Sequence, residues 1–217
     1  MDSKLLIDGL ILYLGLLVLL TLHEFGHAWT AWKCGDDTAK LQGRVSLNPI
    51  VHIDLFGTVI LPLMMILLSP GGGMMFGWAK PVPVNTQNLR RPKLDDLLVT
   101  LAGPGMNLLL AVVLMGLGRA GMFAPTPSVT ALCVDMAQLS LVLCFFNLLP
   151  VPPLDGSQVL RILTGMSYET YYQISRYSIF LLIIVMQLPL VQRILAIATG
   201  HTTAVLANWF GIAVSVA

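Results

Sequence analysis

The chain has 217 residues, of which 56% are hydrophobic and 11% charged, with a formal net charge of +1 and a mean hydropathy of +0.82. Soluble domains carry about 25% charged residues, so this composition excludes an ordinary water-soluble fold and reads as an integral membrane protein. The near-zero charge gives no basis for nucleic-acid binding. The cysteines, Cys34, Cys133 and Cys144, match no zinc or redox spacing and read as packing residues and a free thiol.

The first predicted element runs from about residue 4 to 32. Its stretch 5–22 is nearly all apolar and carries one charge, Asp8. It resembles a signal peptide only in being apolar; no small-residue cleavage site follows, so it is expected to be retained. Towards its end stands His23-Glu24-Phe25-Gly26-His27. Residues i and i+4 share one helix face about 6 Å apart along the axis, so both imidazoles can reach one metal ion. Glu24 is then placed to polarise a metal-bound water. The same pattern on a solvated helix carries little meaning. In an apolar span it does, because each charge near the bilayer centre costs about 2.5–3.5 kcal/mol without a partner. The reading is a zinc hydrolase with its site in the membrane and one Zn2+ per chain.

Residues 35–50 are polar and contain a strand-like run, Ala39 to Leu47. Residues 53–69 are apolar but short, which suits a tilted span or a re-entrant element. Residues 70–92 open on Pro70-Gly71-Gly72-Gly73, and their prolines favour extended backbone. Spans are predicted near 94–118, 128–149 and 170–188. A last one near 190–216 follows Pro189 and is interrupted by Gly200 and His201. With the amino terminus outside and 53–90 dipping in and returning, nine of the twelve Lys and Arg residues fall on the cytoplasmic side. Lys4, Arg119 and Arg193 remain outside. This bias favours the re-entrant reading and a site nearer the cytoplasmic face of a plasma or inner membrane. The expected fold is an all-α integral membrane protein. It is a multi-span helical bundle of about 5–6 membrane segments with re-entrant extended or β-like segments. One membrane-embedded domain, 1–217, is expected, with a core at 5–165 and additional spans at 170–217.

A hydrolytic zinc site takes three protein ligands and one open position. The better third candidate is Asp155, in Asn147-Leu-Leu-Pro-Val-Pro-Pro-Leu-Asp155-Gly156. Pro150, Pro152 and Pro153 end the helix and hold the backbone extended, and Gly156 permits a turn. The alternative is that Asp155 merely caps the amphipathic helix that follows. His52 reads either as a gate or transient ligand, or as one half of a buried pair with Asp54. His201 reads as structural or interfacial.

Taken together, His23-Glu-Phe-Gly-His27 in an apolar helix, Gly103-Pro104-Gly105-Met-Asn107 in a later one, and Pro-Pro-Leu-Asp155-Gly156 after another resemble the site-2 proteases. These are zinc-dependent intramembrane metalloproteases. The motifs occur in the family's order over roughly 5–165, and Gly77-Trp-Ala-Lys-Pro-Val-Pro-Val84 is similar to its small prokaryotic members without a peptide-binding or regulatory domain. The resemblance implies that His23, His27 and Asp155 hold the zinc and that Glu24 is the catalytic base. It implies endopeptidase action on transmembrane segments of membrane proteins, within the lipid bilayer.

Asn107 and Asn147 are amides within apolar spans, and each needs a hydrogen-bond partner. Either donates to a substrate carbonyl and steadies the oxyanion, or forms an interhelical bond that locks the bundle. Extended segments near 39–47 and 77–85 offer strand edges for an unwound peptide. Two other classes stay open. A metal-ion transporter would spread ionisable ligands along a path over several helices. A catalytically silent membrane-protein binder would lack a ligand or the glutamate. The sequence leaves the substrate's identity and the oligomeric state open.

Overall fold

The computed structural model describes residues 3–68, 77–120 and 127–213. Among these described residues, four helices are long and apolar enough to cross a membrane: α1 (Ser3–Lys33), α4 (Pro92–Ala120), α5 (Pro127–Asn147) and α9 (Pro189–Phe210). Between and after them lie α2 (Thr38–Leu41), α3 (Leu61–Leu68), α6 (Asp155–Thr164), α7 (Tyr168–Ser175) and α8 (Ser178–Gln187). The chain is an all-α membrane protein, and the described residues contain no strand. It divides into two compact units, residues 1–95 and 96–217.

In the first unit, α1 is apolar all round, and Ile7, Leu10, Ile11, Leu14 and Val18 stay exposed, as lipid-facing residues do. At about 1.5 Å per residue it is roughly 46 Å long, well beyond a hydrocarbon core of about 30 Å. The strand expected at 39–47 is absent. Asp36 accepts from the Thr38 backbone N–H and hydroxyl, which starts α2, and Gly43 turns left-handed (φ 69°) to end the turn of chain. The 53–69 segment becomes a π-helical turn, Leu55–Ile60, leading into α3. Asp54 caps it through the N–H groups of Phe56 and Gly57. Fourteen residues reach about 21 Å, short of a full crossing. Pro70–Gly73 lie outside the described residues.

From Gly77 to Asn85 the chain runs extended over the carboxy-terminal part of α1 and the 44–58 segment, then makes a 3-10 turn at Thr86–Asn88, and is held by single bonds rather than a ladder. Trp78 donates to the Gly57 carbonyl, Lys80 to the His52 carbonyl and Arg90 to the Cys34 carbonyl. Thr58 Oγ1 donates to the Trp78 carbonyl. Asp36, wholly buried, accepts from the Asn85 backbone N–H and from Asn88 Nδ2. Burial alone would raise the Asp36 pKa. The donors Thr38, Asn88 and Asn85 outweigh it and hold the carboxyl below its ordinary value.

In the second unit, α5 packs on α9 around Ala111, Met115, Val134, Ala137, Leu141 and Leu206. Gly118 lets α4 approach α5, where a Cβ would stand 3.1 Å from that of Cys133. Two expectations are corrected here. The single span at 170–188 is two short helices, α7 and α8, parted at Arg176 and Tyr177. The break expected at Gly200 and His201 is also missing: α9 runs through both, and His201 faces outward. A helical glycine costs about 1 kcal/mol, less than the burial of Thr203, Leu206 and Ala207 on that helix returns.

Candidate active site

The site is built first on α1. His23 and His27, on successive turns, are both buried, and their Nε2 atoms stand 3.1 Å apart with the rings nearly perpendicular. Two nitrogens at about 2.05 Å from one tetrahedral zinc would lie about 3.3 Å apart. The pair therefore fits a shared zinc ion. Glu24 sits beside them, and its Oε2 accepts the Val82 backbone N–H at 3.0 Å. One carboxylate oxygen is thereby fixed, and the other remains to take a proton.

Around Glu24 lies a buried polar cluster that sequence reading missed in part. Arg44, 5% exposed, donates through its guanidinium to the Lys80 carbonyl and lies 3.4 Å from His52 Nδ1. His52, 2% exposed, has its Nε2 2.9 Å from the Ser46 carbonyl. That geometry makes Nε2 the protonated nitrogen and Nδ1 the acceptor from Arg44. The expected pairing of His52 with Asp54 is not formed, because Asp54 caps the next helix. Arg44 gave no motif in the sequence. Val82 did leave a signal: Pro81 and Pro83 lack N–H groups, so Val82 carries the lone amide between them.

Burial pushes the His52 pKa down. The Ser46 carbonyl opposes this, and the Arg44 charge adds to it. The folded chain therefore binds this proton less readily than the unfolded chain, whose imidazole titrates near about 6.5. The stability so contributed is complete above that pH and is lost as pH falls below it. The melting temperature is expected to drop between pH 7 and 5, and His52→Gln should flatten that slope. Equal slopes in the two proteins would contradict the assignment.

In the second unit, Asp155 is the first residue of α6, after a Leu148–Leu154 turn that contains a cis Pro152–Pro153 peptide. Leu154 donates to the Val151 carbonyl, and Ser157 Oγ returns to the Leu154 carbonyl at 2.6 Å. Gly156 is needed for space rather than for a left-handed turn: a Cβ there would stand 2.2 Å from the Leu148 carbonyl oxygen. Helix α6 is fixed from its far end. Arg161 pairs with Asp96 and lies 4.0 Å over the Tyr168 ring. Asn147 Nδ2 donates to the Leu143 carbonyl one turn earlier in its own helix. Asn107 is fully buried, and Ser140 Oγ donates to its backbone carbonyl, an interhelical bond.

A His-Glu-x-x-His pair with converging nitrogens, on a helix of membrane length, defines a zinc metalloprotease of the membrane. Comparison with known proteins agrees. The family model for peptidase family M50 matches residues 11–126 and 121–188. A Bacillus subtilis (strain 168) protein, "Putative zinc metalloprotease YwhC", is 43% identical over 157 residues, covering 69% of this chain and 67% of that protein. "Putative zinc metalloprotease Rip2" of Mycolicibacterium smegmatis is 38% identical over 65% of this chain and 52% of its own length. Its namesake in Mycobacterium tuberculosis (strain H37Rv) is 39% identical over 68% and 54%. The chain thus spans about half the length of the Rip2 relatives. No solved structure matches. The chain belongs to peptidase family M50, and zinc is its metal.

Proposed function

We propose that this protein is a zinc-dependent intramembrane endopeptidase that hydrolyses peptide bonds in or near transmembrane segments of other membrane proteins. The observation that carries the reading is the His23 and His27 pair, converging 3.1 Å apart within an apolar helix of membrane length, with Glu24 tethered beside it. Asp155 is proposed as the third ligand, which gives the set of two histidines and one carboxylate found in hydrolytic zinc sites. Zinc, when bound there, polarises water and the scissile carbonyl. Glu24 takes the proton from the attacking water and passes it to the leaving nitrogen. Asn147 or Asn107 donates to the developing oxyanion in this reading. For Asn147 this uses the second amide hydrogen, because the first is on Leu143.

The 55–68 segment, too short to cross, suits a re-entrant element. With the excess of basic residues inside, the active site then lies nearer the cytoplasmic side of the cell membrane. A substrate helix must unwind before its carbonyl is reached, since its backbone is already bonded internally.

Zinc dependence and the ligand set are tested together. Detergent-solubilised protein is incubated with a single-span substrate, stripped with a chelator and reloaded with zinc. Cleavage should stop and return, and Asp155→Ala should lower zinc affinity by about tenfold or more. Undiminished zinc binding by Asp155→Ala would remove Asp155 from the set. Cleavage that survives the chelator would overturn the zinc mechanism.

A further inference from the structure

The 78–82 strap is bonded to Glu24 through the Val82 amide, and a buried cation, Arg44, holds the strap at Lys80. Arg44 is 5% exposed, and among the described residues no carboxylate lies within ion-pair distance of it, although the Glu24 charge acts on it from farther off; its Nε has no acceptor. A buried guanidinium is costly to desolvate, and simple packing would be better served by an apolar side chain. Its polar contacts are the Lys80 carbonyl and His52 Nδ1. His52 in turn receives the Lys80 backbone N–H on its own carbonyl. Arg44 and His52 therefore hold both backbone polar groups of Lys80. Residues 78, 80 and 82 all bond inward, to Gly57 and Thr58, to His52 and Arg44, and to Glu24. This is the period-two alternation of an extended chain, with Lys80 as the fixed point and Val82 one repeat beyond it. With Pro81 and Pro83 on either side, no neighbouring amide can replace Val82.

We propose that Arg44 is a positioning residue for proteolysis: through the Lys80 carbonyl and His52 it sets the strap so that the Val82 N–H orients the carboxylate of Glu24. The proposal rests on the reading of Glu24 as the base. It assigns a reaction role to a residue that touches neither metal nor substrate. A base held at one oxygen presents the other in a fixed direction, and misplacement by about 1 Å costs about 100-fold in rate.

The test uses full-length protein with a single-span substrate and follows kcat, KM, zinc content and melting temperature for Arg44→Ala, Arg44→Lys, Val82→Pro and Glu24→Gln. Arg44→Ala should lose kcat by about 30-fold or more, with KM within about twofold and zinc retained. Millimolar guanidinium ion should restore at least about a third of the loss on a logarithmic scale, and Arg44→Lys should fall between. Val82→Pro, which deletes the one hydrogen bond but keeps the extended backbone, should match Arg44→Ala. Should Val82→Pro fail to fold, the guanidinium rescue decides. Arg44→Ala with kcat within about threefold of the wild type overturns the proposal, as does a loss of zinc or of melting temperature that guanidinium does not reverse. Full kcat in Val82→Pro beside a dead Glu24→Gln overturns the proposal and leaves Glu24 as base. Full kcat in Glu24→Gln overturns the underlying reading instead.

Discussion

Glu24→Gln is expected to reduce cleavage of a membrane substrate by about 1,000-fold while zinc stays bound. The amide has the size of the carboxylate, and its oxygen can still accept the Val82 N–H that Glu24 accepts at 3.0 Å. The local fold has no reason to change. His23 and His27 are untouched, so the metal site persists. What disappears is the capacity to take a proton from water, and general acid–base catalysis of this kind is worth about 100- to 10,000-fold. Zinc content and turnover, measured on the same preparation, separate the two effects. A variant that loses zinc together with activity would mean that Glu24 organises the metal rather than the proton.

Gly156→Ala should strongly destabilise the fold. The added carbon would lie 2.2 Å from the Leu148 carbonyl oxygen, 2.4 Å from its carbon and 2.5 Å from the Leu149 carbonyl oxygen. All three are backbone atoms, so no rotamer change relieves the clash, and the turn between α5 and α6 must open. Forced insertion of this kind costs about 3 kcal/mol or more, or a fall of roughly 6–12 °C in melting temperature for a chain of this size. Asp155 is the adjacent residue and would shift with the turn. Turnover should therefore fall further than the loss of folded protein explains. Gly105→Ala is the control, because a Cβ there meets nothing within 4 Å. It should be neutral or slightly stabilising. Similar melting temperatures for the two variants would contradict the tight turn.

The parts legible in sequence were those written as long apolar runs or as short-range spacing. Helix α1 was expected at about 4–32 and spans Ser3–Lys33, and α4 and α5 also begin or end within about two residues of the expected limits. The two histidines meet because helix geometry alone brings i and i+4 together. The failures came where one side chain decides the local path. The run Ala39 to Leu47 reads as strand-like, but the buried Asp36 carboxylate starts a helical turn instead and ties it to Asn85 and Asn88. At 170–188 the one expected span covers two unlike stretches: Thr170–Tyr177 carries Gln173, Ser175 and Arg176, whereas Ser178–Gln187 is apolar, and the break falls where the hydropathy changes. At Gly200 the local signal for a break was overridden by packing along α9. The clamp formed by Arg44, His52 and Lys80 was illegible for another reason. It joins residues 36 positions apart through a backbone carbonyl, which carries no side-chain signature.

The central claim, that hydrolysis takes place within the membrane-embedded part of a substrate, is tested most directly by mapping the bond that is cut. Purified zinc-loaded protein would be reconstituted in liposomes with a single-span substrate, and the products identified by mass spectrometry. New termini are expected inside or at the edge of the apolar segment, absent with Glu24→Gln. Cuts confined to the soluble flanks, or no cut in a panel of spans accompanied by zinc flux across the liposome, would contradict it.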